Sequence, residues 1–397
     1  MNNMLIQDLQ SRKLFYQCTN LELLKEHMQS PQKAYIGFDC TADSLHIGSM
    51  IQLLAIRKLQ QHDHIPIIIL GSATTRIGDP SGKNEMRKML SHEEIEYNKK
   101  GVLESINKFL IPGKKAIILD NNSWLSELKY TEFLGDMGTM FSVNKMISFD
   151  NVKHRLKQGL NLSFLEFNYM ILQGYDFWYL YKNYDCILQI GGSDQWANIV
   201  NGVELVKKRE GTVVFGLTTT LLTNHLNKKM GKTEKGAVWL NESKLPVYSF
   251  WQYFRNMHDQ DCINALYKLT ELPIDEIQRL EKLKGQALNE AKHILATEVT
   301  ELCHGKEKSL SVAQQAKDNF EMQTNLLKIH IASKSIQLVD LVLKIDHIES
   351  KSVAKRLIQS GAVKLNNIVV KEPFVNITEN TVLKVSKKHI FDIIFTS

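Results

Sequence analysis

No run of about 18 consecutive apolar residues occurs in the 397-residue chain, which excludes an ordinary membrane-spanning helix. The opening MNNMLIQDLQSRKLF lacks the basic-then-apolar layout of a secretory signal. Five cysteines stand at 18, 40, 186, 262 and 303, odd in number, scattered and without a C-x-x-C pair. That usage argues against a disulfide framework or a zinc site, so no metal-ligand set is expected and a reducing cytoplasm is the expected location. Internal repeats and low-complexity stretches are absent, as is any G-x-G-x-x-G opening a helix.

What remains is ordinary soluble composition, 43% hydrophobic and 23% charged, in a chain long enough for two or three cores. The formal charge of +6 is unevenly placed: residues 334–397 hold ten Lys/Arg against six Asp/Glu, giving +4 of the total. A solvated face on a small domain would look like this, and so would a footprint for a polyanion such as RNA.

The first half reads as α/β. KAYIGFD (33–39) and IPIIILG (65–71) are buried-strand patterns, and HIGSMIQLLAIRKLQQH (46–62) between them has helical apolar spacing. KAIILD (115–120) and DCILQIG (185–191) supply further strands. This predicts a Rossmann-like parallel-sheet catalytic domain over 1–245, with ligand beyond the carboxyl ends of the strands. From Pro246 the pattern turns helical, giving an expected α-helical domain over 246–326; LNEAKHILATEVTELCHG (288–305) ends on a C-capping glycine. The polar KDNFEMQTN (317–325) begins an expected linker region, set at 327–335. Residues 336–397 return to β-type alternation behind the helix SVAKRLIQSG, a small α+β module.

The stretch KKMGKTEKG (228–236) contains the Gly-Lys-Thr that ends a P-loop. A P-loop needs a glycine at 226, where Leu226 stands, and GDPSGK (78–83) is one residue short. The segment is therefore either a mobile basic surface loop or a loop that brings ammonium groups to a reacting phosphate. Far upstream, D43-S44-L45-H46-I47-G48-S49 leads a strand into a helix start, which offers unpaired N–H donors to an anion. A histidine there is commonly a cap; joined to K-M-G-K-T it becomes specific.

With those two segments the chain resembles the class I aminoacyl-tRNA synthetases. Three more stretches, I77-G-D-P-S-G-K83, Y169-M-I-L-Q-G-Y-D176 and Q189-I-G-G-S-D-Q-W196, narrow the resemblance to the bacterial-type tyrosyl family. It covers essentially the whole chain. The resemblance implies activation of L-tyrosine by ATP, with Mg²⁺ assisting, and transfer to tRNA(Tyr).

By the same resemblance, Tyr35 and Asp176 face the phenolic hydroxyl of the substrate, and Asp79, Tyr169 and Gln173 face its ammonium. Gln195 lies near its carboxylate. His46 and Thr41 point to the phosphates, Gly48 lies beneath the adenine, and Gly192 and Asp194 meet the ribose, with Asp39 also counted on the ATP side. Lys83 and Arg87 surround the pyrophosphate, while Lys229, Lys232 and Thr233 arrive with the loop. Positions 169, 173 and 176 share one helical face. Each tyrosine, taken alone, equally suits core packing.

The segment S352-V-A-K-R-L-I-Q-S-G-A-V-K-L-N366 resembles a small RNA-binding module shared with a ribosomal protein. Lys355, Arg356 and Lys364 are its candidate phosphate contacts. Ser49 replaces a second histidine common among relatives, which weakens a nucleotide contact there. The family implies a homodimer joined around 135–145. The tryptophanyl enzymes are the nearest alternative, and Tyr35 with Asp176 argues against them.

Overall fold

Short apolar runs with β-branched residues become strands where both faces are covered. In the structure, a computed structural model, the described residues are 4–81, 89–233, 236–324, 327–345, 348–385 and 389–396. Six strands form the principal sheet: β1 (Phe15–Cys18), β2 (Lys33–Asp39), β3 (Ile65–Gly71), β4 (Ile117–Asp120), β5 (Cys186–Gly192) and β6 (Phe215–Thr219). Their order is β1-β6-β5-β2-β3-β4. All neighbours run parallel except the edge strand β1, which is antiparallel to β6. The β2–β3 ladder is unbroken from Lys33↔Ile65 to Asp39↔Gly71.

Chain order runs outward from β2 through β3 and β4 on one side, and through β5 and β6 on the other. The crevice between the carboxyl ends of β2 and β5 is thus the topological switch point, where ligands of open α/β sheets bind. Asp39 ends β2 and Gly192 ends β5. The predicted helix after β2 is Met50–Gln61, preceded by a 3₁₀ turn, Ile47–Ser49.

The switch to helices at Pro246 is real, with Val247–Arg255, Asp259–Leu269, Ile274–Glu281 and Leu288–His304 all helical. It does not divide the packing as expected: Met1–Val312 is one compact unit, and Ala313–Ser397 a second. The reason is a set of polar ties to the sheet elements. Arg12 donates to Thr270 O at 2.7 Å and Leu272 O at 2.9 Å, and Arg57 pairs with Glu271 at 2.8 Å. Gly305 ends the last of these helices at φ 87°, the left-handed geometry its C-cap position requires.

In the second unit, two expectations are corrected. The polar stretch at 317–325 is helical through Thr324. The expected linker 327–335 opens with a strand, whose Ile331 is buried in the tail core with Ile329 packed against it. To number the strands in order, β7 (Lys232–Thr233) and β8 (Gly236–Ala237) form a hairpin in the first unit, and β9 is Leu327–Ile331. The tail continues with β10 (Ile336–Gln337), β11 (Val363–Leu365), β12 (Ile368–Val369), β13 (Asn376–Ile377), β14 (Thr381–Val385) and β15 (His389–Phe395). The five-stranded order is β12-β11-β14-β15-β9, with β9 parallel to β15. Asn366 and Asn367, at φ 46° and 67°, make the two-residue hairpin turn between β11 and β12. Helices Leu338–Leu343 and Lys351–Gln359 bury Leu338, Val342, Ala354 and Ile358 with Val363, Leu383 and Ile393.

Candidate active site

The floor of the crevice is a buried phenol and a buried carboxyl. Tyr35 lies mid-strand in β2, and its hydroxyl faces Gln173 O at 3.4 Å. Asp176 comes from the helix Phe164–Tyr184, whose start is fixed by a Ser163/Glu166 capping box. Its carboxyl accepts from Trp124 Nε1 at 2.7 Å and Asn121 Nδ2 at 3.0 Å. Burial pushes its pKa up to about 7; the two donors work in the opposite direction and Asp39 adds to the rise. Burial and the Asp176 charge together hold the Tyr35 phenol well above its ordinary value. Asn121 also donates to Thr74 Oγ1 at 3.1 Å, tying the carboxyl to the helix Ser72–Ile77 that follows β3.

One layer out, a chain of amides converges. Asp79 accepts from Ser81 N at 3.0 Å and from Gln195 Nε2 at 2.8 Å. Asn198, fully buried, donates through Nδ2 to both Gln195 Oε1 and Gln173 Oε1, each at 3.0 Å. A single side chain therefore sets the orientation of both glutamine amides. Tyr169 OH donates to Asp39 Oδ2 at 3.0 Å, and Thr74 Oγ1 to Asp39 Oδ1 at 2.8 Å. Asp39, Asp79, Tyr169, Gln173, Asp176 and Gln195 are thus brought together on the carboxyl side of β2 and β5.

Across the crevice the two signature segments are laced to each other. His46 caps the 3₁₀ turn, its Nδ1 accepting from Gly48 N at 3.0 Å, so the ring is oriented by the backbone it precedes. Ile47 N donates to Val238 O at 2.9 Å, Leu240 N to Leu45 O at 2.9 Å, and Val238 N to Gly231 O at 3.0 Å. A Cβ on Gly48 would fall 2.6 Å from the His46 ring and 3.2 Å from Met230 O, so the close approach of the lysine loop requires glycine there. Asn241 secures the same seam: it accepts from Ser105 Oγ at 2.8 Å and donates to Gly101 O at 2.8 Å. Lys229 reaches back to Asp194 Oδ2 at 2.7 Å, beside Gly192 at the end of β5.

A family model described as tRNA synthetases class I (W and Y) matches residues 27–321. The tyrosine–tRNA ligase of Wolbachia pipientis subsp. Culex pipiens is 50% identical over 384 residues, covering 94% of this chain and 91% of that protein. The chain belongs to the class I tyrosyl-tRNA synthetases. The tyrosine–tRNA ligase of Ehrlichia chaffeensis is 48% identical over 91% of this chain and 89% of its own. Among solved structures, the C-terminally truncated mitochondrial tyrosyl-tRNA synthetase of Aspergillus nidulans superposes with a TM-score of 0.71 at 27% identity. It covers 80% of this chain and 94% of that one. A tryptophanyl-tRNA synthetase from Encephalitozoon cuniculi shares the fold, with a TM-score of 0.57 at 11% identity, 79% of this chain and 88% of that one being covered.

Within this tyrosyl-tRNA synthetase frame, the remaining predicted residues fall as follows. Thr41 is exposed in the turn after β2. Lys232 and Thr233 form β7, paired with Ala237 and Gly236. Lys83 and Arg87 lie outside the described residues. In the tail, Lys355 sits over the Phe374 ring at 4.8 Å, Arg356 is exposed on the same helix, and Lys364 is half-buried in β11. Sequence reasoning missed Asn121, Trp124 and Asn198. Asn121 and Trp124 meet Asp176 from 55 and 52 positions away, and Asn198, only three positions past its partner Gln195, meets its other partner Gln173 from 25 away. No helix among the described residues is long and apolar enough to cross a membrane.

Proposed function

We propose that the crevice activates L-tyrosine with ATP and then charges the 3′-terminal ribose of tRNA(Tyr). The observation carrying the reading is the buried Asp176 carboxyl, held by Trp124 and Asn121 beside Tyr35. A phenolic hydroxyl entering there finds an acceptor and a donor. Phenylalanine would leave both buried groups unpaired, and such an asymmetry rejects the smaller ring without editing. Strong rejection of phenylalanine is already known of tyrosyl-tRNA synthetases in general, and its size is a property of that family rather than a result of this structure.

Asp79, Tyr169 and Gln173 would take the substrate ammonium, one charge and two neutral acceptors. Gln195 then lies toward the carboxylate, already aligned by Asn198. The carboxylate attacks the α-phosphorus and expels pyrophosphate. It is ionised at neutral pH, so no general base is needed, and the protein's part is alignment and stabilisation of phosphoryl charge. ATP enters as its Mg²⁺ complex. His46 and Thr41 would face its phosphates, Gly48 its adenine, and Gly192, Asp194 and Asp39 its ribose side. Lys229 and Lys232 would meet the leaving group as the hairpin closes, with Lys229 exchanging Asp194 for phosphate. Lys83, Arg87 and Thr233 complete this set.

The tail module, through Lys355, Arg356 and Lys364, would hold the tRNA backbone. A homodimer in the cytoplasm completes the reading. Amino-acid-dependent ATP–pyrophosphate exchange across all amino acids tests it: exchange with L-tyrosine and not with tryptophan or phenylalanine is expected, and exchange driven by tryptophan alone would overturn it.

A further inference from the structure

Between β6 and β7 the chain makes a tight hairpin over 222–230. Thr223 bridges Lys229, Met230 N donates to Leu222 O at 2.8 Å, and Asn224 N donates to Lys228 O at 2.9 Å. Asn227 turns the tip in the left-handed conformation, φ 57°, and Asn224 Oδ1 accepts from both Leu226 N and Lys228 N. The tip carries His225, which leans on the first turn of the helix Asp259–Leu269. There Asp261, a buried carboxylate, accepts from His225 N and stands 3.2 Å from its Nδ1. His258, the N-cap of that helix, completes the group. The ring centroids of His225 and His258 are 4.3 Å apart, and the three ligating groups lie within 4.8 Å of one another.

We propose that His225, His258 and Asp261 form a binding site for one late first-row divalent cation, with Zn²⁺ as its representative. Two imidazoles and one carboxylate are a donor set such ions take, with water as fourth ligand. Donors on a tetrahedral Zn²⁺ with bonds of about 2.0–2.1 Å stand about 3.3 Å apart, and the His225 Nδ1 to Asp261 Oδ2 distance already matches that edge. His258 needs a movement of about 1–1.5 Å, which a ring rotation on an exposed helix cap supplies. Its Nδ1 accepts only a long bond, 3.3 Å from Gln260 N, and ligation replaces that bond. The carboxylate is buried behind the rings, so the ion seats between the hairpin and the helix rather than on an open acidic surface. Lys292 is held by Asp259 at 2.5 Å, and Lys229 of the hairpin by Asp194 at 2.7 Å.

The consequence is mechanical. The hairpin joins β6 to the segment bearing Lys229 and Gly231, which packs on His46 and Gly48. A bound ion pins the hairpin tip to the helical part of the same unit and restrains the lysine loop behind it. None of the three ligands is a residue assigned to tyrosine or ATP, and the test does not depend on those residues.

Full-length chain stripped of metal is titrated with Zn²⁺ against a chromophoric chelator. One equivalent is expected to bind, at least tenfold more weakly in His225→Ala and in His258→Ala, with Co²⁺ giving tetrahedral d–d absorption in the wild type and not in either variant. Asp261→Asn keeps an oxygen for His225 N and removes the anionic ligand, so it is expected to weaken binding while its far-UV spectrum stays native. Equal affinity in the wild type and both histidine variants places the ion on other groups, such as the cysteines, and overturns the proposal. Absence of saturable binding overturns it equally.

Discussion

Replacing Asp176 by Asn gives a test whose size can be worked from the buried carboxyl. Its pKa rises from the ordinary value of 3.8 to about 7 on folding. A carboxyl that holds its proton more tightly when folded favours folding at low pH, and that advantage is lost as pH rises through about 7. A gap of about three pH units corresponds to about 4 kcal/mol, of which about 1.4 kcal/mol falls between pH 6 and pH 8. Asn cannot ionise, but its amide N–H₂ meets a donor where Asp176 met Trp124 or Asn121. That mismatch costs about 1–3 kcal/mol at every pH. The stability difference at one pH therefore has no fixed sign, whereas its change with pH does. From pH 6 to pH 8, Asp176→Asn is expected to gain about 1.4 kcal/mol on the wild type.

Urea unfolding read by tryptophan fluorescence measures this on the right body, because Trp124, Trp178, Trp196, Trp239 and Trp251 all belong to the unit Met1–Val312. Titrating groups that do not sense the Asp176 charge cancel in the difference. A gap that stays constant to within about 0.5 kcal/mol would refute the buried, near-neutral carboxyl.

Trp124→Phe removes one donor from Asp176; tyrosine KM is expected to rise about tenfold or more, with the pH optimum for tyrosine binding moving upward, and an unchanged KM would contradict the role. Asn198→Ala frees the Gln173 and Gln195 amides, so steady-state kinetics should show a larger rise in KM for tyrosine than for ATP; equal rises would make Asn198 a general packing residue. Lys232→Ala is expected to slow adenylate formation about a hundredfold while tyrosine affinity, by equilibrium dialysis, changes little; matched losses would deny the loop its transition-state role. Lys355→Glu with Arg356→Glu should leave exchange intact, depress tRNA charging and flatten its salt dependence by up to about two charges' worth of slope; charging unaffected at all salt concentrations would leave the tail a solvated face.

The strands of the switch point were legible in the sequence because each is a continuous apolar run between polar breaks. KAYIGFD and IPIIILG became β2 and β3 without a residue's shift, and DCILQIG moved by one. Position-specific pairing across the sheet was not legible, and with it went the partners of Asp176. Trp124 looked like any core aromatic, since its indole proton finds its acceptor only when the long connection from β4 to β5 folds the short helix Asn122–Leu125 against Phe164–Tyr184. The seam between the signature segments was equally hidden. Both motifs could be read, but the bonds of Val238, Leu240 and Asn241 that join them run through residues of unremarkable type. The linker expectation at 327–335 failed because polar neighbours masked a three-residue apolar alternation that has meaning only opposite β15.

That last pairing bears on the order in which the chain can fold as it leaves the ribosome. β9 is the first strand of the tail sheet and β15 the last, and they are hydrogen-bonded from Phe391↔Leu327 to Phe395↔Ile331. The closing ladder spans more than sixty residues, the slow, non-local kind of contact. Until β15 emerges, β9 has no strand to pair with, and an unpaired apolar strand is the state in which nascent chains pair wrongly. A chain stalled or clipped before residue 389 would leave β9 without its neighbour in the sheet, so β15 is the strand that fastens β9 to the rest of the tail.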